Sequence, residues 1–366
     1  MLNQANLCYT HLMQGLDELL KTNAVYDKLL RVLNSKGSIP HAFLLYGSDE
    51  AALTALAELT AKSIMCGCGA CNTCLKVDKK VHTDVMYYPK GDKAFLVEDA
   101  LEVTDSMYTL PYEGGKKVYI LNFGANANQQ SQNKLLKSLE EPARDVVFII
   151  TSTNIASVLA TIKSRTTKFA VAAFERNALK KFVTVNFAST NAELISEVSG
   201  GKVTNAIKYA TDSGFEARLK LVFGLLTELT HSSKMIGYLE QLNKEKSRFG
   251  EVLELFSAVV GGAINSPSSK GWMSSDSEDR RGSQTESLQN IHPATPWHPS
   301  NLEGNYRAQY SSILSAFGLL GLSQLVKLTT EVQERIVRNS NFNATLDYFL
   351  LKILEVRFNA NFSSIG

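Results

Sequence analysis

The stretch from Lys117 to Thr166 constrains the fold most, because it alternates between the patterns of strands and helices. Continuous apolar runs at Val118–Leu121 and Val146–Ile150 are typical of strands buried on both faces of a parallel sheet. Between them, Gln130–Leu139 places leucines at helical spacing, and Pro142 ends that helix because it cannot donate a backbone hydrogen bond. Two parallel strands flanking a helix form a βαβ unit, whose carboxyl strand ends are where a nucleotide would bind.

Length, charge and hydropathy narrow the class of protein. A chain of 366 residues favours two or three domains, and 44% hydrophobic with 20% charged residues is ordinary for a soluble globular protein. A net charge of +2 neither favours nor excludes nucleic acid, so any basic surface must be a local patch. The first residues lack the pattern of a secretory signal, and Ala308–Val326 is too polar for a membrane span. We therefore expect a cytoplasmic protein that does not contact a membrane.

The turn after the strand His41–Tyr46 lies where a phosphate-binding loop would be expected, before the helix Ala51–Ser63. Such a loop needs glycine amides, a lysine for charge and a Ser or Thr for magnesium. The sequence from Gly47 to Thr54 is GSDEAALT, with Leu53 at the lysine position and two acidic residues that would repel phosphate. An ordinary strand–helix turn is therefore favoured over a nucleotide-binding loop.

Four of the five cysteines lie within nine residues, at Cys66, Cys68, Cys71 and Cys74. They are too close together for a disulfide framework, whereas four soft ligands suit tetrahedral zinc. With no open coordination position, the site would be structural rather than catalytic. The alternative is a reduced loop without metal. His82 is a possible substitute ligand, although a lone surface histidine is the favoured interpretation.

Three further features carry weaker signals. Lys76, Lys79 and Lys80 could contact DNA phosphates, but a solvated charged face is favoured. Residues 263–305 are rich in Ser, Pro and charge and predict a disordered insertion, because they cannot bury enough apolar surface. Within it, a linker is favoured over a docking role for Trp297 or metal binding by its histidines. Helices are predicted over 215–262, 306–326 and 328–358.

Several motifs together resemble the bacterial clamp-loader subunits of the AAA+ class. These are IPHAFLLYG at 39–47, YEGGKKVYIL at 112–121, NKLLKSLEEP at 133–142, FIITSTN at 148–154 and IKSRT at 162–166. The resemblance implies an α/β, P-loop-NTPase-like parallel sheet domain with a zinc module over 1–172. It also implies a helical lid over 173–212 and a helical collar over 213–366. The implied partners are the gamma/tau and delta subunits and, indirectly, the sliding clamp, primed DNA and the polymerase.

The resemblance also identifies what is missing for ATP hydrolysis. The acidic pair that would hold magnesium falls at Asn122 and Phe123, the phosphate-loop lysine at Leu53, and the lid-helix arginine at Asn205. With Gly47 and Thr54 as remnants of the loop, we expect no bound ATP and no ATPase activity, and zinc as the cofactor.

One catalytic part is retained. Ser164-Arg165 matches the family's Ser-Arg-Cys motif, with Thr166 in place of the cysteine. The resemblance implies that Arg165 acts as an arginine finger on the ATP of a neighbouring subunit. Thr153 and Asn154 match the first sensor, and they are expected to be relics. The alternatives are a gamma/tau-type ATPase, or a zinc-containing nucleic-acid-binding protein that acts alone.

Overall fold

The computed structural model describes residues 15–35, 39–68, 71–91, 93–113, 115–189, 191–265, 306–338 and 340–363. The chain divides into two compact units. The first comprises residues up to 196 together with 201–208, and the second comprises 197–200 and the residues from 209 onward.

The first unit is built on a five-stranded parallel sheet. Its strands are β1 (Ala42–Tyr46), β2 (Val85–Tyr88), β3 (Lys117–Asn122), β4 (Val146–Ser152) and β5 (Thr167–Ala170). Their spatial order is β2-β3-β4-β1-β5, and each neighbouring pair is parallel. Because β1 lies between β4 and β5, its carboxyl end borders a change of direction in the strand order, which is where ligands bind in such sheets.

Among the described residues of this unit, helices precede and connect the strands, and three more follow β5. In chain order they are α1 (Ala24–Leu33), α2 (Glu50–Met65), α3 (Asn72–Asp78), α4 (Val97–Ser106), α5 (Gln129–Glu140), α6 (Ala160–Arg165), α7 (Arg176–Phe187), α8 (Ala192–Val198) and α9 (Val203–Thr211). Residues 15–20 are also helical. This parallel sheet with its connecting helices, followed by helices in the part of the chain that the structure describes, confirms the predicted α/β class with a parallel sheet.

The central strands are buried on both faces, as their continuous apolar sequences predict. Every residue of β4 is buried, and the ring of Tyr119 on β3 stacks on Phe148 with ring centroids 5.5 Å apart. The sequence analysis did not predict β5. Only Phe169 of its four residues is buried, so this edge strand carries neither an apolar run nor a clear alternation.

The second unit is helical in the residues that the structure describes. It contains α10 (Phe215–Thr227), α11 (Met235–Lys244), α12 (Phe249–Ile264), α13 (Tyr306–Val337) and α14 (Phe342–Ser363). Its core includes the rings of Phe256 and Phe349, whose centroids lie 5.1 Å apart. Arg357, 8% exposed, donates a hydrogen bond of 2.6 Å to the Leu226 carbonyl, and its guanidinium lies 4.6 Å from the centre of the Phe317 ring.

Two predicted boundaries in this unit were wrong. The insertion was expected from residue 263, but α12 continues to Ile264; residues 266–305, including Trp297, lie outside the described residues. A helix break was expected at residue 327, whereas the chain remains helical there and leaves helical geometry at Gly318, with φ 62° and ψ 171°. A positive φ is a conformation that glycine adopts readily.

Ala308–Val326 was predicted to be too polar for a membrane span, but the longer segment Ala308–Val337 of α13 is long and apolar enough to cross a membrane, by length and composition alone. Its mean hydropathy over the most apolar 18 residues is 1.4. Core helices of soluble proteins meet the same criterion, and α13 packs against α12 and α14 within this unit.

Candidate functional site: a closed phosphate position, an arginine and a cysteine cluster

The phosphate-loop position lies in the turn between β1 and α2, and this turn contains Asp49. This residue is 4% exposed and is the N-cap of α2. Its carboxylate accepts hydrogen bonds from the backbone amides of Val203, at 2.5 Å, and Thr204, at 3.1 Å, both in the first turn of α9. The Thr204 hydroxyl donates a further bond of 2.6 Å to it. The carboxylate in this turn is thus bonded to the start of α9.

The same hydroxyl caps the other helix. Its Oγ1 atom accepts a hydrogen bond of 2.9 Å from the backbone amide of Ala51, in the first turn of α2. Each helix therefore receives a capping group from the other, through Asp49 and Thr204. The amides of a first helical turn have no partner within the helix, so both bonds satisfy groups that would otherwise need water.

The other loop positions are adapted to packing. Leu53, at the lysine position, is 2% exposed and lies in the core. A Cβ atom at Gly47 would lie 2.6 Å from the Val171 carbonyl oxygen, so this glycine permits close packing of the chain after β5. Thr54 is exposed and lines an open cavity of about 440 Å³, together with Glu58, Lys80 and other residues.

Asn122 and Phe123 occupy the positions of the missing acidic pair, and they make different kinds of contact. The Asn122 side-chain oxygen accepts hydrogen bonds from the Gly124 amide, at 2.9 Å, and from the Thr151 hydroxyl, at 3.2 Å. Phe123 is 3% exposed and packs against Phe95 with ring centroids 5.1 Å apart. Neither position supplies a carboxylate for magnesium.

The residues at the first-sensor position, Thr153 and Asn154, form hydrogen bonds within the loop that follows β4. Asn154 caps the short 3₁₀ helix Ile155–Ser157 by accepting a hydrogen bond of 3.1 Å from the Ala156 amide. Thr153 precedes it, and its amide donates a bond of 3.0 Å to the Gly124 carbonyl. These contacts hold the loop after β4.

Arg165 lies at the end of α6 and forms an ion pair with the last turn of α5. One guanidinium nitrogen is 2.5 Å from a carboxylate oxygen of Glu140, and another donates a bond of 2.9 Å to the Thr161 carbonyl. The adjacent Ser164 hydroxyl also bonds to the Thr161 carbonyl, at 3.0 Å. The Arg165 side chain is 34% exposed, so the guanidinium is oriented by its neighbours and still reaches solvent.

The structure brings the four cysteines together. Their sulfur atoms, including that of Cys66, all lie within 4.8 Å of one another. The Cys71 sulfur is 3.4 Å from that of Cys66 and 3.7 Å from that of Cys74, and Cys68 and Cys74 are 3.8 Å apart. Zinc–sulfur bonds of about 2.3 Å in a tetrahedron place sulfurs about 3.8 Å apart. The cluster could therefore bind zinc with little rearrangement.

The local sequence explains how the cysteines converge. Cys66 is the C-cap of α2 and Cys71 the N-cap of α3, so two helix ends carry them. Gly67, at φ +74°, makes the reversal after α2, and Cys74 is buried. A hydrogen bond from the Cys74 backbone, and then one with the Cys66 thiol, lower the pKa of Cys71 to about 6. This favours the thiolate, which is the form that binds metal.

A loop at the end of α4 supports α3. Asp84 is fully buried and accepts hydrogen bonds from the amides of Tyr112, at 2.7 Å, and Glu113, at 2.8 Å. The Glu113 carboxylate in turn accepts bonds from Lys76, at 2.8 Å, and Thr83, at 3.1 Å. These bonds fix the position of the helix that carries Cys74.

For this region the structure corrects the prediction for His82 and supports the prediction for the lysines. His82 is not a surface residue: it is 4% exposed, and its Nδ1 atom accepts a hydrogen bond of 3.1 Å from the Asp84 amide. Lys80 pairs with the buried carboxylate of Glu58 at 2.7 Å, as Lys76 does with Glu113. Two of the three lysines considered for DNA contact are thus paired with acids, which favours the interpretation of a charged protein surface.

Comparison with known proteins shows which family the first unit resembles. A sequence profile described as "DNA polymerase III, delta subunit" matches residues 22–175. These residues contain the phosphate-loop position, the cysteine cluster and Arg165. The sequence matches of this region support membership of the clamp-loader family.

Relatives among known proteins match about half of the chain or less. A DNA polymerase III subunit gamma of Buchnera aphidicola is 30% identical over 188 residues, which are 47% of this chain and 51% of the relative. A subunit delta' of Pseudomonas aeruginosa is 29% identical over 53% of this chain and 62% of the relative. The subunit tau of Escherichia coli is 30% identical over 38% of this chain and 23% of the relative. The chain therefore spans about half the length of the first of these relatives.

A solved structure of a DNA polymerase III gamma subunit-related protein of Thermotoga maritima is 16% identical, with a TM-score of 0.43, over 91% of this chain and 99% of that one. The clamp-loader assignment rests on the sequence matches. The relatives include gamma, tau and delta' subunits, so the type of subunit must be argued from the site.

Proposed function

We propose that this chain is a delta-prime-type subunit of a bacterial DNA polymerase III clamp loader and does not hydrolyse ATP. It assembles in the cytoplasm with gamma/tau and delta subunits and helps to place the sliding clamp on primed DNA for the polymerase. In this proposal residues 1–172 form the AAA+ domain, 173–212 the lid and 213–366 the collar through which the subunits associate.

The observation that supports the proposal is the buried carboxylate in the turn at the phosphate-loop position. Asp49 is buried with its carboxylate bonded to the start of α9, and it would repel the negative charge of a nucleotide phosphate. Leu53 cannot contact phosphate, and Asn122 and Phe123 provide no carboxylate for magnesium. The groups that bind phosphate and metal in an ATPase of this class are replaced by groups that stabilise the fold.

Arg165 supplies the catalytic contribution of this subunit. A guanidinium is always charged and can bind the γ-phosphate oxygens of ATP on an adjacent subunit as charge shifts in the transition state. Glu140 orients the arginine in the free chain. Ser164 helps to position it, because its hydroxyl lies 3.4 Å from a guanidinium nitrogen.

Zinc bound by Cys66, Cys68, Cys71 and Cys74 serves as a structural cofactor. Three sulfur pairs are 3.4–3.8 Å apart and all lie within 4.8 Å, which supports this role, and four protein ligands leave no coordination position for a substrate. The metal would join the end of α2 to the start of α3.

A gamma/tau-type ATPase is the second candidate, favoured by the gamma and tau names of several relatives. It requires ATP to enter a position that Asp49 closes. A zinc protein that binds nucleic acid alone has less support, since Lys76 and Lys80 are paired with acids.

Reconstitution tests the proposed role. The chain is mixed with gamma/tau and delta subunits, and assembly and clamp-stimulated ATP hydrolysis are measured for the native chain and for Arg165→Ala. An arginine finger contributes about 10³–10⁵ in turnover at the site it serves, so hydrolysis at that one site should nearly cease while assembly persists. Arg144→Ala is the matched control, because that arginine side chain is 96% exposed. Equal turnover with both variants would contradict the finger role, and failure to co-assemble would contradict the subunit assignment.

A further inference from the structure

The reciprocal capping of α2 and α9 joins two parts of the chain that are far apart in sequence. Asp49 and Val203 are separated by 154 residues, yet the carboxylate of one bonds to the amide of the other. The start of α9 is also held from its other side: the Gly201 carbonyl accepts a hydrogen bond of 2.8 Å from the Phe174 amide. Gly201 itself has a φ of +77°, and a Cβ atom there would lie 2.7 Å from the Ala173 side chain.

The electrostatics of the junction favour an anion. The N-terminus of a helix carries a partial positive charge and unpaired amides, and two such ends meet here, those of the 16-residue α2 and the 9-residue α9. Asp49 lies between them, with one carboxylate oxygen bonded to the Val203 amide and the other to the Thr204 amide and hydroxyl. Bonds of this kind to an ionised acceptor are about twice as strong as neutral ones.

We propose that the Asp49 carboxylate is a built-in substitute for a phosphate anion, which locks α9 onto α2 without nucleotide. A helix that would otherwise be held by a bound phosphate is held permanently by a side chain of the same charge sign. The lock is a property of the free chain. The proposal extends the non-hydrolysing role proposed above. Its biological meaning rests on that role, whereas the hydrogen bonds themselves do not.

Amide hydrogen exchange of the full-length chain tests the lock. Asp49→Ala removes the anion, so exchange at the amides of residues 203 and 204 should accelerate about ten- to a hundredfold, the effect of losing hydrogen bonds to a charged group. Amides in α12, in the other unit, should be unaffected. Glu50→Ala is the matched control, because this neighbouring carboxylate is exposed and also lies in the first turn of α2.

Inorganic phosphate distinguishes an anion site from an ordinary cap. Added to the Asp49→Ala protein, it should restore slow exchange at residues 203 and 204, while leaving the native chain unchanged. Asp49→Asn preserves the shape and removes the charge, so it should exchange faster than the native chain even if the alanine variant folds poorly.

The outcomes separate the possibilities. Unchanged exchange in both Asp49 variants, or equal acceleration with Glu50→Ala, would overturn the lock. Acceleration that phosphate does not reverse would make Asp49 an ordinary helix cap and overturn the anion substitution. None of these results depends on clamp-loader assembly, so failure of the lock and failure of the proposed function are distinguishable.

Discussion

Replacement of single cysteines tests the metal cluster in detail. The structure places all four sulfurs within 4.8 Å of one another, so each should supply one bond to the same zinc ion. Structural zinc sites bind with about 10–16 kcal/mol in peptides at neutral pH, and an equal share for each of four ligands is about 2.5–4 kcal/mol. Loss of one thiolate should therefore weaken zinc affinity about a hundred- to a thousandfold.

The assay is competition for zinc between the protein and a chromophoric chelator, with metal content measured independently. The native chain should hold one zinc per chain, and Cys66→Ser and Cys74→Ser should each lose affinity by the factor above. Cys8→Ser is the matched control, because Cys8 precedes the cluster by 58 residues in sequence. Mercurial titration of the native chain should release zinc as the four cluster thiols react.

The two serine variants separate metal binding from packing. Cys74 is fully buried, whereas Cys66 is exposed, so only Cys74→Ser should also destabilise the metal-free protein. A Cys66→Ser protein with native zinc affinity would show that three cysteines suffice and would refute the four-ligand site. Absence of zinc from native protein purified without chelators would refute the metal site itself.

Two further predictions concern buried charges. Burial, opposed by Lys80, raises the pKa of Glu58 above its ordinary value of 4.5, so the folded chain retains this proton to higher pH than the unfolded chain does. The free energy of unfolding of the native chain, relative to Glu58→Gln, should therefore fall as pH rises from 4.5 through the folded pKa; a flat difference in urea denaturation would contradict this. Arg357→Lys should lower the free energy of unfolding by about 1.5–3 kcal/mol, because lysine cannot both bond to the Leu226 carbonyl and stack on Phe317. Urea denaturation measures this too, and an unchanged midpoint would count against the proposed contacts.

The strands of the central sheet could be predicted because burial on both faces leaves an unmistakable apolar run. The predicted strand Val118–Leu121 extends by one residue at each end in the structure, and Val146–Ile150 extends by two residues. β5 was missed because an edge strand with one buried residue has no such run. The break at Gly318 was missed because a glycine within an apolar helical pattern does not by itself indicate a positive φ.

The candidate site was predictable where its residues are adjacent in sequence. Four cysteines within nine residues predicted a metal-binding cluster, and in the structure their sulfur atoms lie within 4.8 Å of one another. The role of Asp49 was only half predicted: its charge argued against phosphate, but its bonds to α9 span more than 150 residues and leave no local pattern. His82 was wrongly predicted to be a surface residue for a similar reason. Its burial depends on the loop that is held by the hydrogen bond between Asp84 and Glu113.

Direct measurement of nucleotide binding tests the central claim, that this subunit's own phosphate position is closed. The full-length chain is titrated calorimetrically with magnesium-ATP, and hydrolysis is followed in parallel. We expect no saturable binding tighter than about 1 mM and no magnesium-dependent turnover, because Asp49 occupies the position and no lysine or acidic pair replaces it. Micromolar binding of ATP, or sustained hydrolysis by the isolated chain, would contradict the account.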